Sequence, residues 1–190
     1  MMKTIVHQAR SERGVTLIDT MVVLAVATII GSMATMQMVT VRRSLKGDGA
    51  MRVVMAQLTT AREMAIKERR DIEVQFVGDN WLHIIRHEVP SGTTVVAKVA
   101  LEGSARYALI AGAPDTPDLF GNSAPVKFGT AAMIRFSPSG ALVDGGGNPV
   151  NGSVFLAVDN EIISGRAVTV LGAIGRVAGY RWNGRVWQRV

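Results

Sequence analysis

An apolar segment near the N-terminus constrains the fold more than any other part of the chain. It runs from Val15 to Val41, and Asp19 is its one charged residue. A helix of about 20 residues crosses the hydrocarbon core of a bilayer. The segment is longer than that, so it can cross with tilt or with one end protruding. We therefore interpret residues 15–41 as a transmembrane helix.

A cleaved secretory signal is the alternative interpretation of this segment. Such signals have an apolar stretch of about 7–15 residues, followed by small residues at the cut. Ser32-Met33-Ala34 would provide that cut and release a secreted, soluble, β-rich protein. The length of the apolar run and the acid within it favour the retained helix.

Asp19 requires a partner or a special position, because a carboxylate is costly in bilayer hydrocarbon and less so near a helix end. Two explanations are open. The carboxylate lies at the membrane surface, or it meets a cation inside a helix bundle. In a bundle of low dielectric, an amine and a carboxylate each lower the other's burial cost, and such pairs are used to set register.

The stretch Gly14-Val15-Thr16-Leu17-Ile18-Asp19 resembles the cleavage and assembly motif of type IV pilins and type II secretion pseudopilins. The resemblance implies that residues 1–14 are a leader, that a prepilin peptidase cuts between Gly14 and Val15, and that the new amine of Val15 is N-methylated. It also implies a single-pass protein of the bacterial inner membrane with a periplasmic C-terminal domain, later packed into a pilus or pseudopilus. Asp19 stands where the family most often has Glu, and its implied role is to pair with a neighbouring subunit's N-terminal amine.

A second helical segment follows the apolar run. Apolar residues from Met51 to Ala65 recur at helical spacing, which predicts an amphipathic helix over residues 42–70 that packs on a sheet. Gly47-Asp48-Gly49 lies inside this segment. Because glycine costs about 1 kcal/mol relative to alanine within a helix, we expect a kink or a flexible joint there.

The remaining residues, 71–190, predict a β-sheet domain. Alternating or apolar runs bounded by turn residues indicate strands: 72–76, 81–87, 95–101, 106–111, 133–136, 154–158, 167–171, 176–182 and 185–189. Prolines and glycines mark 112–131 as a long loop, and Asn183-Gly184 is a strong hairpin signal. A long helix followed by strands predicts an α+β fold with an antiparallel sheet.

Three stretches of this domain resemble the C-terminal half of the GspH/FimT group of minor pseudopilins and minor pilins: 134–140, 154–158, and 166–170 leading into Gly175-Arg176-Val177. The resemblance implies a type IV pilin-like fold. It also implies a structural subunit that contacts other minor and major pilins or pseudopilins at or near a filament tip. Such a subunit serves protein secretion through a type II secretion system or assembly of a type IV pilus.

Composition and motifs give no sign of an enzyme or of a cofactor. The chain has no cysteine, so it forms no disulfide and no thiolate metal site. His83 and His87 would lie about 13 Å apart on a strand, too far to share a metal ion. The segment Asp144-Gly145-Gly146-Gly147-Asn148 lacks the acids of an EF-hand and the lysine of a P-loop, so we interpret it as a flexible turn.

The C-terminal segment is basic and contains no acid after Glu161, although the whole chain is only mildly basic at +6. Its arginines alternate with aromatic residues, which is a pattern that binds nucleic acid through phosphates and stacked bases; the candidates are Arg176, Arg181, Arg185 and Arg189. Some members of the resembled group bind DNA through an arginine-bearing C-terminal loop, for uptake by a competence pilus. Ala178 stands where that motif has its second arginine. The favoured interpretation is a hairpin whose arginines face water while Trp182 and Trp187 cover the core.

Overall fold

The structure is a computed structural model that describes residues 16–190, the side chains of 34–37 excepted. The chain divides into two units, residues up to Val39 and residues Thr40–Val190. One α-helix, α1, covers Leu17–Glu68. In the first unit the large apolar side chains of α1 are all exposed among the residues described, from Leu17 to Val39.

In the second unit, one stripe of α1 is buried in the core. Its members recur at helical spacing and comprise Ala50, Met51, Val54, Leu58, Ala61 and Ala65. The predicted amphipathic helix is therefore confirmed. It ends at Glu68, where Arg69 adopts a left-handed conformation (φ 53°) and the Arg70 N–H donates to the Ala65 carbonyl. This hydrogen bond closes the last turn as in a Schellman motif.

The expected interruption of the helix at Gly47-Asp48-Gly49 is wrong, because α1 continues through all three residues. Gly47 has a different role. A Cβ added at Gly47 would lie 2.6 Å from the carbonyl oxygen of Ser164, closer than any real Cβ contact. The glycine therefore lets the helix approach the backbone of a neighbouring segment.

Eleven strands follow α1 in the part of the chain described: β1 Ile72–Val77, β2 Trp81–His87, β3 Thr93–Ala100, β4 Ala105–Tyr107, β5 Val126–Lys127, β6 Ile134–Phe136, β7 Leu142–Val143, β8 Gly152–Val158, β9 Arg166–Leu171, β10 Arg176–Trp182 and β11 Trp187–Arg189. They form two sheets. The first has the order β3-β2-β1-β6-β7, and the second has the order β11-β10-β9-β8-β4 with β5 also paired to β8. The pairings within these sheets are antiparallel, and the predicted α+β fold is confirmed.

The core lies between α1 and the two sheets. Ile72 and Val74 of β1 join Val154 and Leu156 of β8 in one apolar cluster with the buried stripe of α1. The second sheet is also covered on its other face, where a second cluster contains Phe155, Trp182 and Trp187. Because both faces are covered, all seven residues of β8 are buried.

Several strand boundaries differ from those predicted, for local reasons. The strand predicted over 106–111 ends at Tyr107, because the chain then turns to bury Ile110 in the second cluster. The predicted loop 112–131 contains the short strand β5. The last strand begins at Trp187 rather than at Arg185, since the N–H groups of Arg185 and Val186 donate to Asn183 Oδ1 and close the turn.

Candidate functional site

The N-terminus of α1 is closed by a reciprocal pair of hydrogen bonds between Thr16 and Asp19. The Thr16 N–H and hydroxyl donate to Asp19 Oδ2 at 3.0 Å and 2.7 Å. The Asp19 N–H donates to Thr16 Oγ1 at 3.3 Å. Threonine at the cap and an acid three residues later form a capping box, which satisfies backbone donors that a helix start otherwise leaves free. The Thr-x-x-Asp spacing is the sequence signal for this cap. Asp19 is therefore a helix-capping residue as well as the predicted assembly residue.

Asp19 is exposed, and only Oδ2 accepts hydrogen bonds from the residues that the structure describes. None of these residues donates to Oδ1. The predicted cleavage site at Gly14 and Val15, the methylated amine of Val15 and the leader 1–14 lie outside the described residues.

The exposed first half of α1 is compatible with a lipid environment. By length and composition, α1 is the one described helix that could cross a membrane. Hydroxyl groups in the apolar run donate to carbonyls of their own helix: Thr20 to Leu17 at 2.7 Å and Thr28 to Leu24 at 2.7 Å. Internal satisfaction of polar groups is the condition for placing a helix in hydrocarbon.

A buried ion network joins α1 to the second sheet. Arg166, at the start of β9, is fully buried, and its Nε donates to Asp48 Oδ1 at 2.6 Å. Its remaining nitrogens donate to the carbonyls of Ile163 and Gly165 and to the carbonyl and hydroxyl of Ser44. Every nitrogen of the guanidinium thus has an acceptor, which is the condition for burying a charge.

Asp48 is shared by two arginines. Arg181 Nη2 donates to Asp48 Oδ2 at 2.6 Å, on the half-exposed side of the network. Burial acts to raise the pKa of Asp48, but the hydrogen bonds and charges of Arg166 and Arg181 outweigh it and leave this pKa below its usual value. The carboxylate is therefore the ionised partner of both cations.

Two features of the sequence point to this network. An acid between two glycines in a helix and an arginine inside an apolar strand are each unusual, and each must be explained by a partner. Gly47 allows the approach of α1, and Asp48 then meets the arginine. Gly47 and Asp48 therefore attach α1 to the second sheet and its adjoining turn, and they do not form a flexible joint.

The four arginines predicted to bind DNA do not form one surface. Arg176 and Arg181 point to opposite faces of the second sheet, because side chains alternate along β10. Arg176 Nη2 lies 4.0 Å from Asp118 Oδ1 in the loop that covers one face, while Arg181 pairs with Asp48 of α1 on the other. Arg185 lies in the hairpin turn, and Arg189 lies opposite Tyr180 in the β10–β11 register.

The aromatic residues beside these arginines are part of the core. Tyr180, Trp182 and Trp187 are all buried. The Trp187 Nε1–H donates to the Pro114 carbonyl at 2.8 Å, and the two tryptophan rings pack with centroids 5.2 Å apart. These rings are not available to stack on bases. Their burial agrees with the favoured interpretation, in which Trp182 and Trp187 cover the core.

Asp118 tethers the covering loop to the second sheet. Its Oδ2 accepts hydrogen bonds from Thr169 Oγ1 at 2.5 Å and from the Tyr180 hydroxyl at 2.9 Å. Burial and the Asp118 carboxylate both raise the pKa of Tyr180. Arg176 therefore contacts a carboxylate that already has a structural function.

Other candidate ligands have local partners. His87 Nε2 lies 2.9 Å from Glu73 Oε2, and the His83 ring packs near that of Trp81. Asp144 accepts hydrogen bonds from the Gly146 and Asn148 N–H groups, which hold its pKa below the usual value, chiefly through Asn148. Among residues 16–190, no group of three or more metal-ligating side chains comes together.

Residues 50–179 match the family model of GspH, described as a type II transport protein. No curated protein sequence matches the chain. Among solved structures, the chain is similar to the type IV minor pilin FimU of Pseudomonas aeruginosa, with 18% sequence identity, a TM-score of 0.48, and coverage of 68% of this chain and 84% of that one. The GspH match extends from the buried half of α1 into β10 and covers more than half of the chain. The chain therefore belongs to the GspH family of type II transport proteins.

Proposed function

We propose that the protein is a minor pseudopilin or minor pilin, a structural subunit of a type II secretion pseudopilus or a type IV pilus. The observation that carries the proposal is the first half of α1. It is a long apolar helix whose large apolar side chains are exposed among the described residues, and its first turn contains Asp19. Such a surface requires lipid or other helices. The membrane provides lipid before assembly, and the filament core provides other helices afterwards.

Processing is the first step of the proposed function. A prepilin peptidase cuts between Gly14 and Val15, and the new amine of Val15 is methylated. The amine then directly precedes Thr16, which caps the helix together with Asp19. Cleavage therefore places a cation at the positive end of the helix dipole, where it is destabilised unless an acid neutralises it.

Assembly is the second step. Asp19 uses Oδ2 for its own helix cap and offers Oδ1 to the N-terminal amine of a neighbouring subunit. One carboxylate thus stabilises its own helix start and sets the axial register of the next subunit. Residues 15–41 hold the protein in the inner membrane until extraction, and residues 71–190 lie in the periplasm and contact other minor and major subunits near the filament tip.

The proposal is tested with two substitutions at one position, in a host that carries the filament machinery. Asp19→Ala removes the carboxylate, while Asp19→Glu retains it with the side chain most common in the resembled family. We expect both variants to be processed at the same bond, and the Asp19→Ala protein to decrease by about ten-fold or more in sheared filaments. Unchanged incorporation of Asp19→Ala would exclude the proposed role of the acid.

DNA binding by the C-terminal arginines is the alternative function, and the geometry gives it little support. Arg176 and Arg181 lie on opposite faces near acids, whereas Arg185 and Arg189 are exposed and make no salt bridge with the described residues. The appropriate test replaces Arg185 and Arg189 with alanine in the full chain and measures duplex DNA binding across a salt series. We expect weak binding that the double substitution leaves unchanged; tight, strongly salt-dependent binding lost in the variant would establish the alternative.

A further inference from the structure

Three exposed apolar side chains belong to two neighbouring turns of the second unit. Ile162 and Ile163 belong to a 3-10 turn, Ile162–Ser164, and Val186 belongs to the β10–β11 turn. They are 54%, 46% and 56% exposed. A Cβ added at Gly184 would lie 3.9 Å from Ile162 Cγ2, so the two turns are neighbours. We call Ile162, Ile163 and Val186 the apolar rim.

The rim lies beside the first turns of α1 in this unit. Arg43 Nη1 lies 2.7 Å from Glu161 Oε1, and Arg43 Nε lies 3.5 Å from Asp159 Oδ2. The Ser164 carbonyl abuts Gly47, and Arg166 joins the Ile163 carbonyl to Ser44. The segment 159–164 is thus packed along α1 between residues 43 and 47.

This position places the rim within a few residues of Val41, the last residue of the apolar run. A helix rises 1.5 Å per residue, so Arg43 lies about 3 Å and Gly47 about 9 Å beyond Val41. The headgroup layer on each side of a bilayer is roughly 5–7 Å thick, and helix tilt reduces these heights. The 3-10 turn is therefore close enough along α1 to the end of the proposed span to reach the headgroup layer.

The charges around the rim suit a phospholipid surface. Arg43 pairs with both Asp159 and Glu161 and balances one of their two negative charges. Arg42, Lys46 and Arg185 are exposed and make no salt bridge with the residues described, while Glu102 is the exposed acid nearby, in the loop whose Gly103 packs against Lys46. Apolar side chains flanked by unpaired cations bind membranes that contain anionic lipid.

We propose that the apolar rim inserts into the headgroup region of the membrane that anchors the chain, with Arg185 at the lipid phosphates. The inference rests on the proposed anchorage by residues 15–41. It commits to an anionic phospholipid bilayer as the partner, because the rim is continuous with the point where α1 leaves the apolar run. The globular domain then lies on the membrane surface before extraction, and Arg185 recognises lipid phosphate rather than DNA phosphate.

The absence of cysteine in the chain makes a site-specific test direct. Ile162→Cys and Val186→Cys are labelled with an environment-sensitive fluorophore in the full chain, which is reconstituted into phosphatidylcholine–phosphatidylglycerol vesicles. Quenching is measured with lipids that carry a nitroxide at the headgroup level. Val89→Cys is the matched control: Val89 is 74% exposed, and the adjacent Glu88 pairs with Arg70 at the far end of α1.

We expect headgroup nitroxides to lower the fluorescence at Ile162 and Val186 by about two-fold and to leave Val89 unchanged. Ile29→Cys, in the middle of the apolar run, reports separately on anchorage through a nitroxide placed deep in the acyl chains. Quenching at Ile29 with none at Ile162 and Val186 overturns the rim proposal and leaves the anchor intact. No quenching at Ile29 overturns the anchorage and the rim proposal with it. A blue shift at Ile162 that grows with protein density, without lipid quenching, overturns the proposal in favour of a second copy of the chain.

Discussion

Removal of the Asp48 carboxylate should destabilise the globular domain far more than loss of an ordinary surface acid. In the Asp48→Ala variant, Arg166 keeps its acceptors on Ile163, Gly165 and Ser44 but loses its counter-charge. The guanidinium remains fully buried with no carboxylate within reach among the described residues. Leaving one member of a buried pair in this condition typically costs about 3–5 kcal/mol.

The half-exposed partner adds little to this cost. Arg181 is 44% exposed in its side chain, so its contact with Asp48 contributes at most about 1 kcal/mol. The total approaches the lower end of the whole stability of a natural domain, about 5–15 kcal/mol. For a domain of this size, 1 kcal/mol lowers the Tm by about 2–4 °C, and the loss of 3–5 kcal/mol therefore predicts a decrease of about 6–20 °C.

Thermal unfolding of the full chain in detergent, followed by tryptophan fluorescence, measures this decrease. All three tryptophans lie between residues 81 and 187, so the signal reports the globular domain and not the apolar helix. Asp79→Ala is the matched control, since Asp79 pairs with Arg106 at an exposed site and its loss should cost at most about 1 kcal/mol. Equal Tm values for the two variants would refute the idea that the network holds α1 on the sheet.

Three further predictions follow from the same contacts. Because the pKa of Asp48 is lowered in the folded state, the stability that its carboxylate contributes is complete above the unfolded pKa of about 3.9 and is lost as the pH falls through the folded pKa. The difference in Tm between the wild-type protein and Asp48→Asn should therefore shrink below about pH 4. Gly47→Ala should destabilise the domain because the added Cβ meets the Ser164 carbonyl oxygen, whereas Gly49→Ala, with open space around it, should stabilise the domain by about 0.5–1 kcal/mol. Denaturant titration measures both changes, and equal unfolding midpoints for the two variants would contradict the close approach at Gly47. Asp118→Ala should lower the free energy of unfolding by about 1–3 kcal/mol, because the Tyr180 hydroxyl loses its acceptor. Unfolding followed by near-ultraviolet circular dichroism measures this change, and an unchanged midpoint would contradict the expectation.

The periodic parts of the fold were predictable from the sequence. The buried stripe of α1 and the strands β1, β2 and β10 follow from helical spacing, from alternation and from the Asn183-Gly184 turn. These features depend on neighbouring residues along the chain. The family prediction was likewise confirmed by the GspH match.

The features that depend on distant contacts were not predictable in the same way. Glycine in a helix suggested a joint, but the partner that makes Gly47 necessary lies at Ser164, far along the chain. The arginines and aromatic residues of the C-terminal segment suggested DNA binding as the alternative to a water-facing hairpin. A linear pattern does not show that strand alternation sends Arg176 and Arg181 to opposite faces. Short edge strands such as β7 have too few residues to produce a period.

The two units of the chain differ in what the sequence can establish. In the globular unit, tertiary contacts determine the positions of Asp48, Asp118 and Arg166. In the apolar unit, the function depends on a partner outside the chain, so the motif around Asp19 carries the prediction and the structure contributes the helix cap. The processing site is therefore tested by a direct chemical measurement.

The N-terminal residue of the mature protein is that measurement. The protein is purified from membranes of cells that contain a prepilin peptidase, and its N-terminal peptide is analysed by mass spectrometry. We expect a chain that begins at Val15 with a methylated amine, the species whose charge Asp19 neutralises in a neighbour. A chain that begins after Ala34, or one that retains the leader in the presence of active peptidase, would contradict the account.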